Sequence, residues 1–196
     1  MSEQTNIENN SDQLFQPQLK FAKNILLGEE RPGVYTQLNF YLGNIIASIF
    51  LIWNAVSLLI LKFPDYLREH KQIDVHAIIE LRGRKLGFFE GDFFNKIMLL
   101  FTIGIVCWTV VLLCYFWIWR RKKTATLIAL IAIGIYFGAH FVLLGIDYFN
   151  IDTTLFDKIS IFIVVALNLI QYIILKRRSV DRLSEDINDH DNEPRK

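Results

Sequence analysis

The sequence lacks the features by which a chain of 196 residues is most readily assigned a soluble or nucleic-acid-binding role. It has only two cysteines, Cys107 and Cys114. Seven residues of helix would hold their Cα atoms roughly 10 Å apart, beyond the ~7 Å limit for a disulfide. The chain also has no large excess of positive or negative charge, since 21 Lys and Arg are balanced by 20 Asp and Glu. This balance leaves no basic surface for a nucleic acid, and no nucleic-acid partner is predicted.

Motifs that carry chemistry are missing as well. The chain has no H-E-x-x-H, no Ser/His/Asp arrangement, no glycine-rich phosphate cradle and no Cys/His spacing for a metal. The sequence therefore predicts no catalytic residue, no metal site and no cofactor. The polar start MSEQTNIENNSDQ lacks the basic region and apolar core of a cleavable signal peptide. We expect the first apolar run to act as an uncleaved signal.

Long apolar runs are what the sequence does have. Hydrophobic residues make up 53% of the chain and concentrate in four runs that contain none of its four prolines, at 38–61, 97–119, 125–149 and 157–175. About 20 helical residues cross a hydrocarbon core of ~30 Å. The sequence predicts an all-α integral membrane protein, with a bundle of four transmembrane helices occupying residues 34–176.

The sequence predicts different structures for the polar segments before and after these runs. Residues 1–33 form a polar N-terminal segment, in which 14–27 carries apolar side chains every three or four positions. This spacing predicts a short helix on the membrane surface, and a partly ordered leader is the alternative. Residues 177–196 are charged and poor in apolar side chains, so they are predicted to be a disordered cytoplasmic tail.

The distribution of Lys and Arg predicts the orientation. The turn after the second run holds the four cations of RRKK (120–123), and the segment after the fourth run opens with KRR (176–178). With both termini in the cytoplasm, 13 Lys and Arg lie inside and 8 outside. The positive-inside rule therefore favours cytoplasmic termini. The loop 62–96 opposes this, since it lies outside and holds seven of those eight cations.

The extramembrane loop 62–96 separates the first two spans. Its stretch QIDVHAIIEL (72–81) alternates as a β-strand does, and it also fits a short interfacial helix. LGFFEGDFF (86–94) is expected to return as a second strand or to lie among the headgroups, with Asp92 as the N-cap of the second span. Basic and aromatic residues in this loop are predicted to contact lipid headgroups or a partner: Arg82, Arg84, Lys85, Phe88 and Phe89.

Polar side chains within the spans predict a seam in the outer half of the bundle. In the third span, Tyr136, His140 and Asp147 fall on one face of a continuous helix. The complete set takes residues from all four spans: Asn54, Thr102, Thr109, Tyr136, His140, Asp147, Asn168 and Gln171. Such groups either form hydrogen bonds between helices or line a path for protons or solutes, with His140 as the titrating group.

Three glycines form a separate stripe on the third span, nearly opposite to the polar face. Gly134 and Gly138 make a G-x-x-x-G, and Gly145 extends the stripe. Small residues allow close approach of another helix. A helix with both a glycine face and a polar face needs protein on both sides, so we expect a homo-oligomer or a hetero-complex through the glycine face.

Three functions remain open at this level. The favoured one is a non-enzymatic multi-pass membrane protein that serves as a subunit or accessory factor of a larger assembly, with membrane lipids as its other partners. The alternative is a small transporter or channel with a path through His140 and Asp147. The third is a membrane-embedded enzyme. A helical bundle hosts many functions, so the fold alone does not choose among them.

Overall fold

The computed structural model of the protein describes residues 32–89 and 91–191, and the side chains of this range up to residue 177. These residues form six α-helices and no β-strand: α1 (Val34–Lys62), α2 (Pro64–Lys71), α3 (Val75–Lys85), α4 (Asp92–Trp119), α5 (Lys123–Ile151) and α6 (Leu155–Asp191). The all-helical class is thereby confirmed for the described residues. The interfacial helix predicted at 14–27 lies outside them.

Four of these helices are long and apolar enough to cross a membrane. They are α1, α4, α5 and the first 23 residues of α6, and each contains one of the predicted apolar runs. The helices begin or end a few residues beyond those runs. A helix of 29 residues, the length of α1 and α5, spans roughly 43 Å. Its ends therefore extend past the ~30 Å hydrocarbon core into the headgroup regions.

The four long helices are arranged as a closed ring around one core. α4 packs between α1 and α5, and α6 completes the ring by contacting α5 and α1. The core is richest on α4, where Leu100, Trp108 and Tyr115 are almost completely buried. The outward faces are apolar as well, with Val142 exposed by 83% and Phe162 by 73%. So extensive an exposed apolar surface is stable in lipid rather than in water.

The segment between α1 and α4 is helical, so the strand alternative for 72–81 is wrong. α3 begins after Asp74, whose carboxylate accepts a hydrogen bond of 3.0 Å from the backbone N–H of Ala77. A helix satisfies its backbone groups internally, whereas an isolated hairpin is marginal. The expected return strand is also absent, because residues 86–89 form a turn with Gly87 at φ +82°.

The N-cap of α4 is Gly91 rather than Asp92. Gly91 has a φ of +78°, a left-handed conformation in which glycine carries no steric penalty. Asp92 is the first residue of the helix, and its carboxylate lies 2.7 Å from the ammonium of Lys96 one turn later.

α6 continues beyond the membrane-spanning length. Its backbone is helical to Asp191, where the sequence favours a disordered tail from residue 177. Once a helix is nucleated, each further residue adds one hydrogen bond at little extra cost, so a polar segment attached to a stable helix prolongs it. Residues 192–196 of that tail lie outside the described residues.

Candidate functional site

One polar cluster links α1 and α5 across the bundle, in the half nearer α2 and α3. The hydroxyl of Tyr136 donates a hydrogen bond of 3.3 Å to Asn54 Oδ1, and both side chains are buried. The amide of Asn54 also donates to the carbonyl of Phe50, at 2.7 Å. His140 lies one turn beyond Tyr136, with the ring centroids 4.8 Å apart and the rings perpendicular. The structure thus brings three residues of the predicted set together, Asn54, Tyr136 and His140.

Gly104 of α4 makes this contact possible. A Cβ at that position would overlap Asn54 Oδ1 and the ring of Tyr136. Gly43 of α1 has the same relation to the ring of Tyr115. Sequence reasoning did not single out these two glycines. In the sequence, each of them is simply a glycine within an apolar run. Gly134 and Gly138 have the same sequence context, yet they pack against nothing.

A second polar group lies in the half of the bundle nearer the RRKK turn. The amide of Asn168 donates to the hydroxyl of Tyr115 at 2.9 Å, and the amide of Gln171 donates to the hydroxyl of Thr36 at 3.1 Å. All four side chains are buried. Asn168 and Gln171 were expected in one seam with Asn54 and Tyr136, but the structure pairs them in the opposite half of the bundle. Tyr115, which lies five residues before RRKK, is 0% exposed.

An apolar layer separates the two polar groups. The rings of Phe50 and Trp108 stack with centroids 4.6 Å apart. Val111 and Val164 are both 0% exposed. By helix rise, these side chains lie at depths between Tyr115 and Asn54. The described bundle therefore contains two polar clusters rather than one continuous seam.

Thr102 and Thr109 do not belong to either cluster. Both are exposed on the face of α4 that points away from the bundle. The hydroxyl of Thr102 donates to the carbonyl of Met98 at 2.9 Å, and that of Thr109 donates to the carbonyl of Ile105 at 2.7 Å. Bonding to the preceding turn satisfies a hydroxyl on an apolar surface. Both residues were predicted to belong to the seam, but their side chains point away from the core.

Asp147 is also separated from the polar cluster. The helical path of α5 is interrupted at Gly145, which has φ +79° and ψ 170°. This break changes the rotation of everything that follows, so Asp147 is exposed and does not share the face of His140. The same break removes Gly145 from the helical stripe that contains Gly134 and Gly138.

Gly134 and Gly138 lie on an open surface of α5. Both are exposed, and a Cβ added at either position would meet no atom within 4 Å. Within the described bundle, no helix uses this face for close packing.

The basic residues predicted to contact lipid or a partner have divided roles. The Arg82 guanidinium binds the Asp152 carboxylate, with Nε donating to Oδ2 at 3.0 Å and a second bond from its terminal nitrogen to Oδ1. This hydrogen bond and the negative charge of Asp152 raise the pKa of Arg82. Arg82 thereby ties α3 to the turn between α5 and α6. Arg84 lies 3.8 Å from Glu80 on its own helix.

The remaining residues of that set differ in exposure. Phe88 packs against Phe93 with ring centroids 5.0 Å apart. Lys85 is exposed, and Phe89 is exposed by 87%.

A small cavity adjoins His140 where α5 and α6 meet. Its volume is about 160 Å³, and Asp152, Thr154 and Asp157 line it together with several aromatic side chains. The hydroxyl and backbone N–H of Thr154 donate to Asp157 Oδ2 at 2.7 and 3.2 Å. The Asp157 N–H donates back to the Thr154 hydroxyl at 3.2 Å. This reciprocal cap was a missed signal, because T-x-x-D before an apolar run marks a helix start.

No metal-binding group of three or more His, Cys, Asp or Glu side chains occurs in the part of the chain that the structure describes. No protein-family model, curated protein or solved structure matches the chain.

Proposed function

We propose that the chain is a non-enzymatic multi-pass membrane protein that works as a subunit or accessory factor of a membrane assembly, paired through the Gly134–Gly138 face of α5. The observation that carries this function is the open surface at these two glycines. Within the bundle, Gly43 and Gly104 leave room for the side chains of neighbouring helices. The pair on α5 has no such use within the described chain.

The physics of lipid explains why an open glycine pair favours association. Lipid tails are as apolar as leucine, so helices gain little from burying large apolar side chains and associate through close packing of small residues. Gly134 and Gly138 lie beside Ile131 and Val142, which are exposed by 53% and 83%. A partner helix can enter the notch between these larger side chains.

Disulfide crosslinking in native membranes tests the interface while leaving both glycines in place. Val142→Cys should form a crosslinked species, because Val142 borders the glycine pair. Ile52→Cys on α1 is the matched control, since Ile52 is exposed by 61% and lies at a similar distance along its helix. The native Cys107 and Cys114 are buried. A crosslinked dimer indicates a homo-oligomer, and a heavier mixed product indicates a hetero-complex.

A bulky side chain in the notch provides the decisive comparison. Gly138→Leu in the Val142→Cys background should abolish the crosslink, because leucine keeps the helix backbones apart. Equal crosslinking of Val142→Cys and Ile52→Cys, or no effect of Gly138→Leu, contradicts assembly through this face.

The orientation belongs to the same proposal, with both termini in the cytoplasm and α2 and α3 outside. The charges of RRKK (120–123) support it. Phe89 and Thr124 are exposed at opposite ends of the bundle and are therefore suitable labelling positions. Gly83, in the same extramembrane segment as Phe89, is buried and would be a poor one. Phe89→Cys should react with an impermeant thiol reagent from outside, and Thr124→Cys should not. Labelling in the reverse sense would invert the orientation. Lys85 and Phe89 would then contact headgroups of the inner leaflet.

Transport through His140 and Asp147 is supported less well. Because the helix is interrupted at Gly145, His140 and Asp147 lie on different faces of α5. The apolar layer that contains Trp108 separates the cluster of Asn54, Tyr136 and His140 from the other half of the bundle. Equal proton and solute flux through liposomes containing wild type or His140→Ala would remove this alternative. An enzymatic role has no specific observation in its favour.

A further inference from the structure

The cavity beside His140 combines features that point to a ligand. Its volume is about 160 Å³, and a cavity of about 150 Å³ holds a benzene-sized molecule. Aromatic rings form most of its wall, and two carboxylates lie among them. The residues that matter most here are Tyr136, Phe137, His140, Tyr148, Asp152 and Asp157.

His140 adds a mostly buried polar side chain to the wall of this cavity. The residue is 9% exposed, and its Nδ1 has no hydrogen-bond partner among the described residues. That nitrogen is itself shielded from solvent, so a ligand in the cavity does not reach it directly. The imidazole therefore forms part of the wall, and the hydrogen-bonding groups open to a ligand are the carboxylates.

The charge at the cavity is negative. Two carboxylates line it, and no Lys or Arg does. Asp152 is bound by Arg82. Asp157 has no ion pair among the described residues, and its hydrogen bonds from Thr154 both use Oδ2. The ammonium of Lys158 donates to the carbonyl of Asn150 at 3.1 Å and lies 5.4 Å from the ring centroid of Phe149, a residue of the cavity wall, without pairing with Asp157. Asp157 Oδ1 is thus left to accept a bond from a cation.

An apolar groove adjoins the cavity on the membrane side. It has a volume of about 440 Å³ and lies between α1 and α6. Phe50, Trp53, Thr154 and Asp157 line both spaces. A ligand with its polar end at Asp157 can therefore extend an apolar substituent into the groove.

We propose that this cavity binds a protonated amine that carries an apolar chain. The ammonium lies between Asp157 and the aromatic rings, donates one N–H to Asp157 Oδ1, and directs its chain into the groove. Aromatic faces attract cations electrostatically, most strongly when the site is shielded from water. The amine is either a soluble alkylamine or the amino headgroup of a membrane lipid, which share this chemistry. Binding here is independent of assembly through Gly134 and Gly138.

Calorimetric titration of the full chain in detergent micelles tests the site with three probes of equal chain length. Hexylamine should bind at least tenfold more tightly than hexanol, which has no charge. It should also bind more tightly than hexyltrimethylammonium, which has no N–H for Asp157. Equal binding of hexylamine and hexanol overturns the site, because only the groove is then occupied. This comparison uses the wild-type chain and does not depend on the folding of a variant.

Variants then locate the ammonium. Asp157→Asn keeps an oxygen to cap α6 but removes the charge, and it should weaken hexylamine binding at least tenfold without affecting hexanol. Asp147→Asn is the control, since that carboxylate is exposed and outside the cavity. Equal effects of the two variants refute the site.

Titration in lipid nanodiscs shows whether the natural ligand is a soluble amine or the amino headgroup of a lipid. Weaker apparent hexylamine binding in phosphatidylethanolamine than in phosphatidylcholine supports a lipid headgroup as the natural ligand. Unchanged affinity between the two lipids, with the preference over hexanol retained, supports a soluble amine.

Discussion

Replacement of Gly104 by alanine should destabilise the bundle far more than the same change at Gly134. Both glycines lie within long helices, so the intrinsic gain of up to about 1 kcal/mol from alanine in a helix applies to each. The difference between them isolates tertiary packing. At Gly104 the new methyl group would overlap Asn54 and Tyr136, whereas at Gly134 it would meet nothing.

The magnitude follows from the burial of the two neighbours. Asn54 is 0% and Tyr136 is 5% exposed, so neither side chain can turn away into open space. Overpacking of a well-filled core costs about 1–3 kcal/mol. The hydrogen bond between Tyr136 and Asn54 would also break, at about 0.6–1.7 kcal/mol for such bonds in membranes. We expect a total difference of about 2–5 kcal/mol, which lowers the folding equilibrium constant about 30-fold to about 4,000-fold.

Reversible unfolding in mixed micelles measures both variants under conditions where the chain is monomeric, so that an effect on association does not enter. A second comparison checks the cause, because Asn54→Ala removes the nearest overlapping atom and should reduce the cost of Gly104→Ala. Equal stabilities of Gly104→Ala and Gly134→Ala would show that α1, α4 and α5 do not meet as described. An undiminished cost in the Asn54→Ala background would refute the steric explanation.

Three further expectations can be checked by similar means. Tyr115→Phe should cost about 0.6–1.7 kcal/mol in the same unfolding assay, because it removes the bond from Asn168, and the loss should vanish when Asn168 is already alanine. Gly145→Ala should cost about 1–3 kcal/mol, since φ +79° with ψ 170° is a conformation reserved for glycine, and an unchanged stability would mean that α5 is continuous there. Gly83→Ala should accelerate amide hydrogen exchange in α3 with an overpacking cost of about 1–3 kcal/mol, because the methyl group would overlap Phe93, and unchanged exchange would contradict the packing of α3 on α4.

Several errors of the sequence-based interpretation share one physical origin. In lipid the outward face of a helix is as apolar as its inward face, so periodicity distinguishes the two poorly. Thr102 and Thr109 were assigned to the polar seam, yet their side chains point outward. Asn168 and Gln171 were assigned to the same seam, but the half of the bundle in which they find partners depends on Tyr115 and Thr36 of other helices.

The sequence by itself determined that the chain has four apolar helices of membrane-spanning length, because length and hydropathy are properties of a continuous segment. Tertiary structure decided how those helices use their few polar and small residues. Gly104 and Gly134 occur in similarly apolar surroundings, yet one is covered by Asn54 and Tyr136 and the other is open. The pairing of Asp152 with Arg82, and the meeting of His140 and Asp157 at one cavity, join segments distant in the chain. Such contacts depend on the relative rotation and depth of whole helices, which a local pattern does not contain.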